Sequence, residues 1–287
     1  MKLYYYAFTG HKYGLDRARR AVPILQKLKE QGIETMLLVN DFRAGLAMRD
    51  LGIAESVHIE GIQDIDAIAK TGDVVIIDSP EDDHGRLVKY CTDFKQVFRF
   101  SEHDADESIH GEVMLTINCK DDTCISSLII DDIYFEEHKK IERTLFFLGD
   151  SDAQKTILSN SAFFEANKME LLLGHYFYVK YEKDLEKIFT KLHESEEYTE
   201  LICSSSRIVT ASVQTALEAS VTGAEVVFID INKISNKDKK LLVSFNVILM
   251  ISFNEEAYQQ IIIENVLKKS IMVERSDTIV RKIINRL

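Results

Sequence analysis

The stretch Lys2-Leu-Tyr-Tyr-Tyr-Ala-Phe8, the loop Thr9-Gly-His-Lys-Tyr-Gly-Leu15 and the run Asp16-Arg-Ala-Arg-Arg-Ala-Val-Pro-Ile-Leu-Gln-Lys-Leu-Lys-Glu-Gln31 decide the fold. Lys2–Phe8 reads as a short strand. In 16–31, Ala18, Ala21, Val22, Leu25 and Leu28 recur at helical spacing, and Gly32 stops the helix. Working outward, the same unit repeats. Ile33–Val39 is a strand, Arg43–Leu51 a helix, Ser56–Ile59 a strand, Asp64–Lys70 a helical turn or two, and Asp73–Asp78 an apolar strand. Strands that are apolar throughout belong to a parallel sheet covered on both faces. Their alternation with helices, joined by right-handed crossovers, gives a doubly wound α/β domain.

Beyond Glu81–Thr92, strands are expected at Gln96–Phe100, near Val113–Ile117 and at Leu128–Tyr134, and the charged stretch Glu136–Arg143 reads as the linker. The pattern then restarts: strand Thr144–Leu148, helix Ala153–Glu165, strand Tyr176–Lys180, helix Glu182–His193, strand Arg207–Thr210, helix Val213–Thr222, strand Glu225–Asp230, strand Asn246–Ile251, helix Glu255–Lys269 and a terminal helix Ser276–Arg286. Tyr198–Ser205 fits either strand or helix. We expect two Rossmann-like domains, residues 1–138 and 139–287, the terminal helix packing back on the first, with a ligand in the cleft between them.

Composition narrows the partners. Thirty-five Lys and Arg against 47 Asp and Glu give a net charge of -12, which disfavours nucleic acid. No apolar stretch reaches the ~18 residues of a membrane span, and Met1–Phe8 lacks a signal-peptide core, so a cytoplasmic protein is expected. Four cysteines, Cys91, Cys119, Cys124 and Cys203, are too few for a disulfide framework and are expected as reduced thiols. Cys119 and Cys124, with four residues between them and no second pair near, do not make a zinc motif. His103 and His110, among Asp104, Asp106 and Glu107, read as an acidic solvated loop. No metal and no cofactor are assigned.

Chemistry is expected in the strand-to-helix loops. Gly10 and Gly14 allow close approach of a ligand beside His11, a candidate general base, and Arg17, although Gly10 and Gly14 do not form a dinucleotide fingerprint. Arg17, Arg19 and Arg20 are candidates to flank an anionic ligand, a solvated helix face being the simpler reading of at least two of them. Gly149-Asp150-Ser151 opens the second domain in the equivalent loop, with Asp152 or Ser151 suited to cap the next helix. In Thr210-Ala-Ser212-Val213-Gln214-Thr215-Ala-Leu-Glu218, small residues and a helix N-terminus can cradle a diphosphate, and Glu218 can accept from ribose hydroxyls.

Three motifs carry a resemblance. Gly149–Thr156 is similar to a Gly-Gly-Ser-Asp-Pro-x-Asn-x-Thr-like domain opening, and Thr210–Glu218 resembles the Ser/Ala-Gly-x-x-Thr-x-x-Glu pattern, with Gly223 following where a Gly-x-Pro stands. The apolar strand ending at Asp78 resembles a Val-Asp-His-Tyr strand. Together they resemble the GT-B-type nucleotide-sugar family, most of all the UDP-sugar hydrolases of pseudaminic-acid biosynthesis. This chain departs from that pattern: His11 is six residues before Arg17, not three, Ser79-Pro80 follows Asp78, Ser212 replaces a glycine, and Glu225 stands in place of the proline. The resemblance implies a UDP-sugar ligand, with ribose near Glu218 and diphosphate on the Ser212–Gln214 amides. It also implies His11 or Asp78 activating water at the anomeric carbon. A glycosyltransferase of the same fold and a non-catalytic sugar-nucleotide-binding descendant are the competing readings.

Overall fold

The run Val74-Val75-Ile76-Ile77 has no polar face to turn toward water, so it requires cover on both sides. A computed structural model, which describes residues 1–103, 105–119, 122–177, 179–263 and 273–287, places it at the centre of a parallel sheet. That sheet contains β1 (Leu3–Ala7), β2 (Thr35–Val39), β3 (Ser56–His58), β4 (Val74–Asp78), β5 (Gln96–Phe100), β6 (Val113–Thr116) and β7 (Cys124–Ser126). Their order is β3-β2-β1-β4-β5-β6-β7, and every neighbouring pair is parallel. β1 and β4 are buried at every position. The crossovers carry α1 (Asp16–Glu30), α2 (Phe42–Asp50), α3 (Ile65–Ile68) and α4 (Arg86–Asp93). α1 buries Ala18, Ala21, Val22, Leu25 and Leu28, the stripe its spacing requires.

A second parallel sheet follows, with β8 (Ile141–Phe147), β9 (Glu170–Leu172), β10 (Leu192–His193), β11 (Ser205–Thr210), β12 (Glu225–Ile229) and β13 (Ile248–Met250) in the order β10-β9-β8-β11-β12-β13. Its helices are α5 (Thr156–Ser159), α6 (Ser161–Asn167), α7 (Val179–Leu185), α8 (Tyr198–Ser204), α9 (Val213–Val221), α10 (Asn236–Ser244) and α11 (Glu255–Ile263). Phe146, Phe163, Phe164 and Leu171 form the centre of one of its apolar cores. The final helix, α12 (Ser276–Ile284), buries Ile279, Val280 and Ile283. Its Asp277 pairs with Lys27 of α1, so Val273–Leu287 groups with Met1–Asp132, and the second unit begins at Ile133.

Each sheet has the doubly wound order, with strand succession reversing between β1 and β4 and again between β8 and β11. At those two points adjacent loops leave the sheet on opposite faces, which opens a crevice at the carboxyl ends of the strands.

Several local expectations are corrected. Cys119 and Cys124 are joined by a disulfide; their Cα atoms lie 5.6 Å apart across the β6–β7 connection, within bridging range, while Cys91 and Cys203 are free. No strand spans Tyr176–Lys180: β9 lies earlier, and the buried Tyr176 and Tyr181 reach the core from a turn and from α7. Residue 178 of that expectation is outside the described residues. Leu128–Tyr134 is not a strand, since β7 ends at Ser126 and a 3-10 turn occupies Asp132–Phe135. The helix expected over Ala153–Glu165 starts only at Thr156, Lys155 being left-handed at φ 54°, and breaks at Asn160 into α5 and α6. Glu182–His193 is not one helix, because α7 ends at Leu185 and Leu192–His193 is β10. Tyr198–Ser204 is helical, and α10 was not foreseen. The part of the expected Glu255–Lys269 helix beyond Ile263 lies outside the described residues.

Candidate functional site

At the first switch point, parallel pairing sets Ala7 beside Asp78, and the Phe8 N–H donates to the Asp78 carbonyl at 2.9 Å. The loop after β1 closes on itself: the N–H groups of Tyr13 and Gly14 both donate to the Gly10 carbonyl, at 3.0 and 2.8 Å. Gly10 holds φ 136°, a conformation that side chains with a Cβ rarely adopt. His11 stands exposed on this loop, and the Arg43 guanidinium at the start of α2 donates to its Nε2 at 3.2 Å. A guanidinium can only donate, so the ring takes the form with its proton on Nδ1.

Asp78 is fully buried. Its Oδ2 accepts from the Tyr5 hydroxyl at 2.8 Å and from Arg20 Nε at 2.5 Å, and its Oδ1 from the other arm of the same guanidinium. Arg17 Nε lies 3.4 Å from Oδ1, while Arg17 Nη2 donates to Glu102 beyond β5 at 2.9 Å. Burial raises the Tyr5 hydroxyl pKa well above its ordinary value, and the Asp78 charge raises it further, which keeps the phenol a donor. Burial alone would lower the Arg20 pKa, but Asp78 outweighs it and the pKa is raised. The Arg20 guanidinium also lies 4.6 Å from the Phe100 ring centre. Asp78 is thus tied to a two-pronged guanidinium and a phenol, charge-assisted contacts that fix its orientation.

At the second switch point, Thr210 lies beside Phe147 and the Ala211 N–H donates to the Phe147 carbonyl at 3.3 Å. Gly149 repeats the φ of 136° seen at Gly10. Asp150 is buried, and His175, three residues past β9, sets its Nδ1 3.4 Å from Asp150 Oδ1. Gly174 is pressed on that loop: a Cβ there would fall 2.4 to 2.5 Å from the Asp150 backbone. Ser151 is half-buried between them and α5. Asp152 caps α5, accepting the N–H of Thr156 at 2.6 Å and of Ile157 at 3.0 Å, and its Oδ2 accepts from the Tyr181 hydroxyl at 2.5 Å.

The segment 210–218 is the most organised part of this unit. Ser212 caps α9, its Oγ accepting the Thr215 N–H at 3.1 Å, and the Ser212 N–H donates to Thr210 Oγ1 at 3.0 Å. Val213 starts the helix, whose positive end therefore stands at the switch point. Glu218, about a turn and a half further, is buried; Oε1 accepts from Gln214 Nε2 at 2.8 Å and Oε2 from the Tyr198 hydroxyl at 2.6 Å. Sequence reasoning missed Tyr198 and His175. The signal for His175 was present, since a glycine-histidine pair after a strand marks a close loop, but the strand was placed too late in the chain.

Among the described residues no group of three or more His, Cys, Asp or Glu side chains is disposed to hold a metal ion, and no helix is long and apolar enough to cross a membrane.

No protein-family model and no curated protein matches the chain by sequence. Solved structures do match by fold. The UDP-GlcNAc 2-epimerase of Methanocaldococcus jannaschii in complex with UDP-GlcNAc and UDP aligns over 99% of each chain with a TM-score of 0.60 at 12% identity. The UDP-GlcNAc 2-epimerase of Neisseria meningitidis bound to UDP-GlcNAc aligns over 100% of this chain and 99% of its own, with a TM-score of 0.55 at 11% identity. A glycosyltransferase of Rickettsia africae gives a TM-score of 0.51 at 11% identity over 99% and 93%. The fold is the two-domain, doubly wound α/β fold of the GT-B type.

Proposed function

We propose that the protein acts on a nucleotide-activated sugar, most simply a UDP-sugar, breaking the bond between the anomeric carbon and the diphosphate so that UDP leaves. The observation that carries this reading is the built site on β11 and α9: a Ser-capped helix N-terminus at a switch point with a fixed carboxylate, Glu218, about a turn and a half inside. Diphosphate suits the amides of Ser212–Gln214, and ribose hydroxyls suit Glu218. The fold likeness to proteins solved with UDP-GlcNAc supports the same ligand class.

In the hydrolytic reading His11 takes a proton from water as its oxygen bonds to the anomeric carbon, and the electron pair of the broken C–O bond departs with UDP. Arg43 must release Nε2 for the ring to act there. Asp78 keeps the orienting part its two arginines dictate. Gly10, Gly14 and Arg17 belong to the His11 loop of the first unit and Gly149–Ser151 to the loop after β8 of the second, and amides and helix dipole stabilise the departing diphosphate. Binding without turnover is the second reading, favoured by the complete engagement of Asp78.

Incubation with UDP-N-acetylglucosamine and other UDP-sugars, followed by product analysis, tests this. Free sugar and UDP in equal amounts, lost in His11→Ala, are expected. UDP released only when an acceptor is added assigns transfer instead, and binding with no release assigns the second reading.

A further inference from the structure

Glu218 is anchored from outside its own helix. The Tyr198 hydroxyl, at the start of α8, has one proton, and it goes to Glu218 Oε2 at 2.6 Å. Thr215 Oγ1 lies 2.8 Å from that same hydroxyl and 2.8 Å from Ser212 Oγ, the cap of α9. Tyr198 is itself fixed: only 3% of it is exposed, and its ring meets Phe147, the last residue of β8, edge-on at 5.4 Å. The turn that delivers it is closed reciprocally, Glu194 and Glu197 each accepting the other's backbone N–H. His193 adds a second tie, with Nε2 2.6 Å from Glu170 and Nδ1 3.4 Å from Glu197.

We propose that Tyr198 is a positioning residue of the nucleotide site, acting through Glu218; this rests on the nucleotide reading above. A glutamate on a helix has three rotatable side-chain bonds, and a ligand that must order them binds more weakly. Tyr198 on one oxygen and Gln214 on the other select a single rotamer before any ligand arrives. A carboxylate held in one orientation suits a pair of neighbouring hydroxyls such as a ribose presents. The hydroxyl also links Glu218 to Ser212, so the carboxylate and the helix cap are set together.

Calorimetric titration of the full chain with UDP tests this across wild type, Tyr198→Phe, Glu218→Gln and the double variant. Tyr198→Phe is expected to weaken UDP binding about tenfold. In the double variant the change at Tyr198 is expected to cost nothing beyond Glu218→Gln alone, the mark of one residue acting through another. para-Aminophenylalanine at position 198 keeps a donor at the same reach and is expected to recover most of the affinity. It also tests the contact if Tyr198→Phe does not fold. Wild-type affinity in Tyr198→Phe, or losses that multiply in the double variant, overturns the proposal. No UDP binding by the wild type overturns the nucleotide reading itself and the positioning role with it.

Discussion

Replacing Asp78 by Asn separates orientation from catalysis at the residue level. The substitution leaves the half-buried Arg20 and Arg17 beside a neutral amide, so unfolding by urea is expected to show a loss of about 2 to 3 kcal/mol. An unchanged midpoint would return Asp78 to the list of candidate bases. Ser212→Ala removes the α9 cap together with the contact to the Thr215 hydroxyl and is expected to cost about 1 to 2 kcal/mol in the same measurement. Asp78 and Glu218 were both legible as residues, since a strand that ends in an acid and a helix with an acid about a turn and a half in are local patterns. Their partners were not. Arg20 is 58 residues from Asp78, and Tyr198 lies 20 before Glu218, so only tertiary packing joins them. His11 was legible by its place in the loop, but the Arg43 contact that sets its tautomer was not.

Elements were read well where hydrophobic period and length agreed, as in β1, α1, β4 and α9, and poorly at some of the two- and three-residue strands. β9, β10 and β7 are that short, and the aromatic residues around Tyr176 imitate a strand while packing from a turn. The loop between β5 and β6 allows a pH test of element stability. Burial alone would raise the Glu112 carboxyl pKa, but the N–H groups of His110 and Ile109 and the charge of Arg99 outweigh it and hold the pKa below its ordinary value. A depressed folded value means that the ionised group stabilises the fold above the ordinary carboxylate range. That contribution is lost as the pH falls through the folded value. Glu112→Gln is therefore expected to lower stability by about 2 kcal/mol at neutral pH and to flatten the acid limb of the stability curve, measured by urea unfolding at successive pH values. An acid limb as steep as that of wild type would refute this role. Gly174→Ala, which drives a Cβ into the Asp150 backbone, is expected to destabilise the second unit by about 1 to 3 kcal/mol, read from its thermal midpoint.

For the whole molecule, the chain returns to its start. Ile279, Val280 and Ile283 of α12 are buried within the first unit, and Lys27 of α1 joins Asp132 at 2.6 Å and Asp277 at 2.7 Å. Ile283→Ala is expected to destabilise by about 2 to 4 kcal/mol and to speed amide exchange in α1 and β7 while α9 keeps its protection. Doubly wound architecture in both halves was legible because period and alternation are repeated many times over, so errors at single strands did not change the outcome. The nucleotide site on the second unit is the central claim, and hydrogen exchange with and without saturating UDP tests it most directly. The account predicts slowed exchange at 148–151 and 210–218, weakened in Glu218→Ala. Unchanged exchange in both segments, with UDP bound elsewhere or not at all, would contradict it.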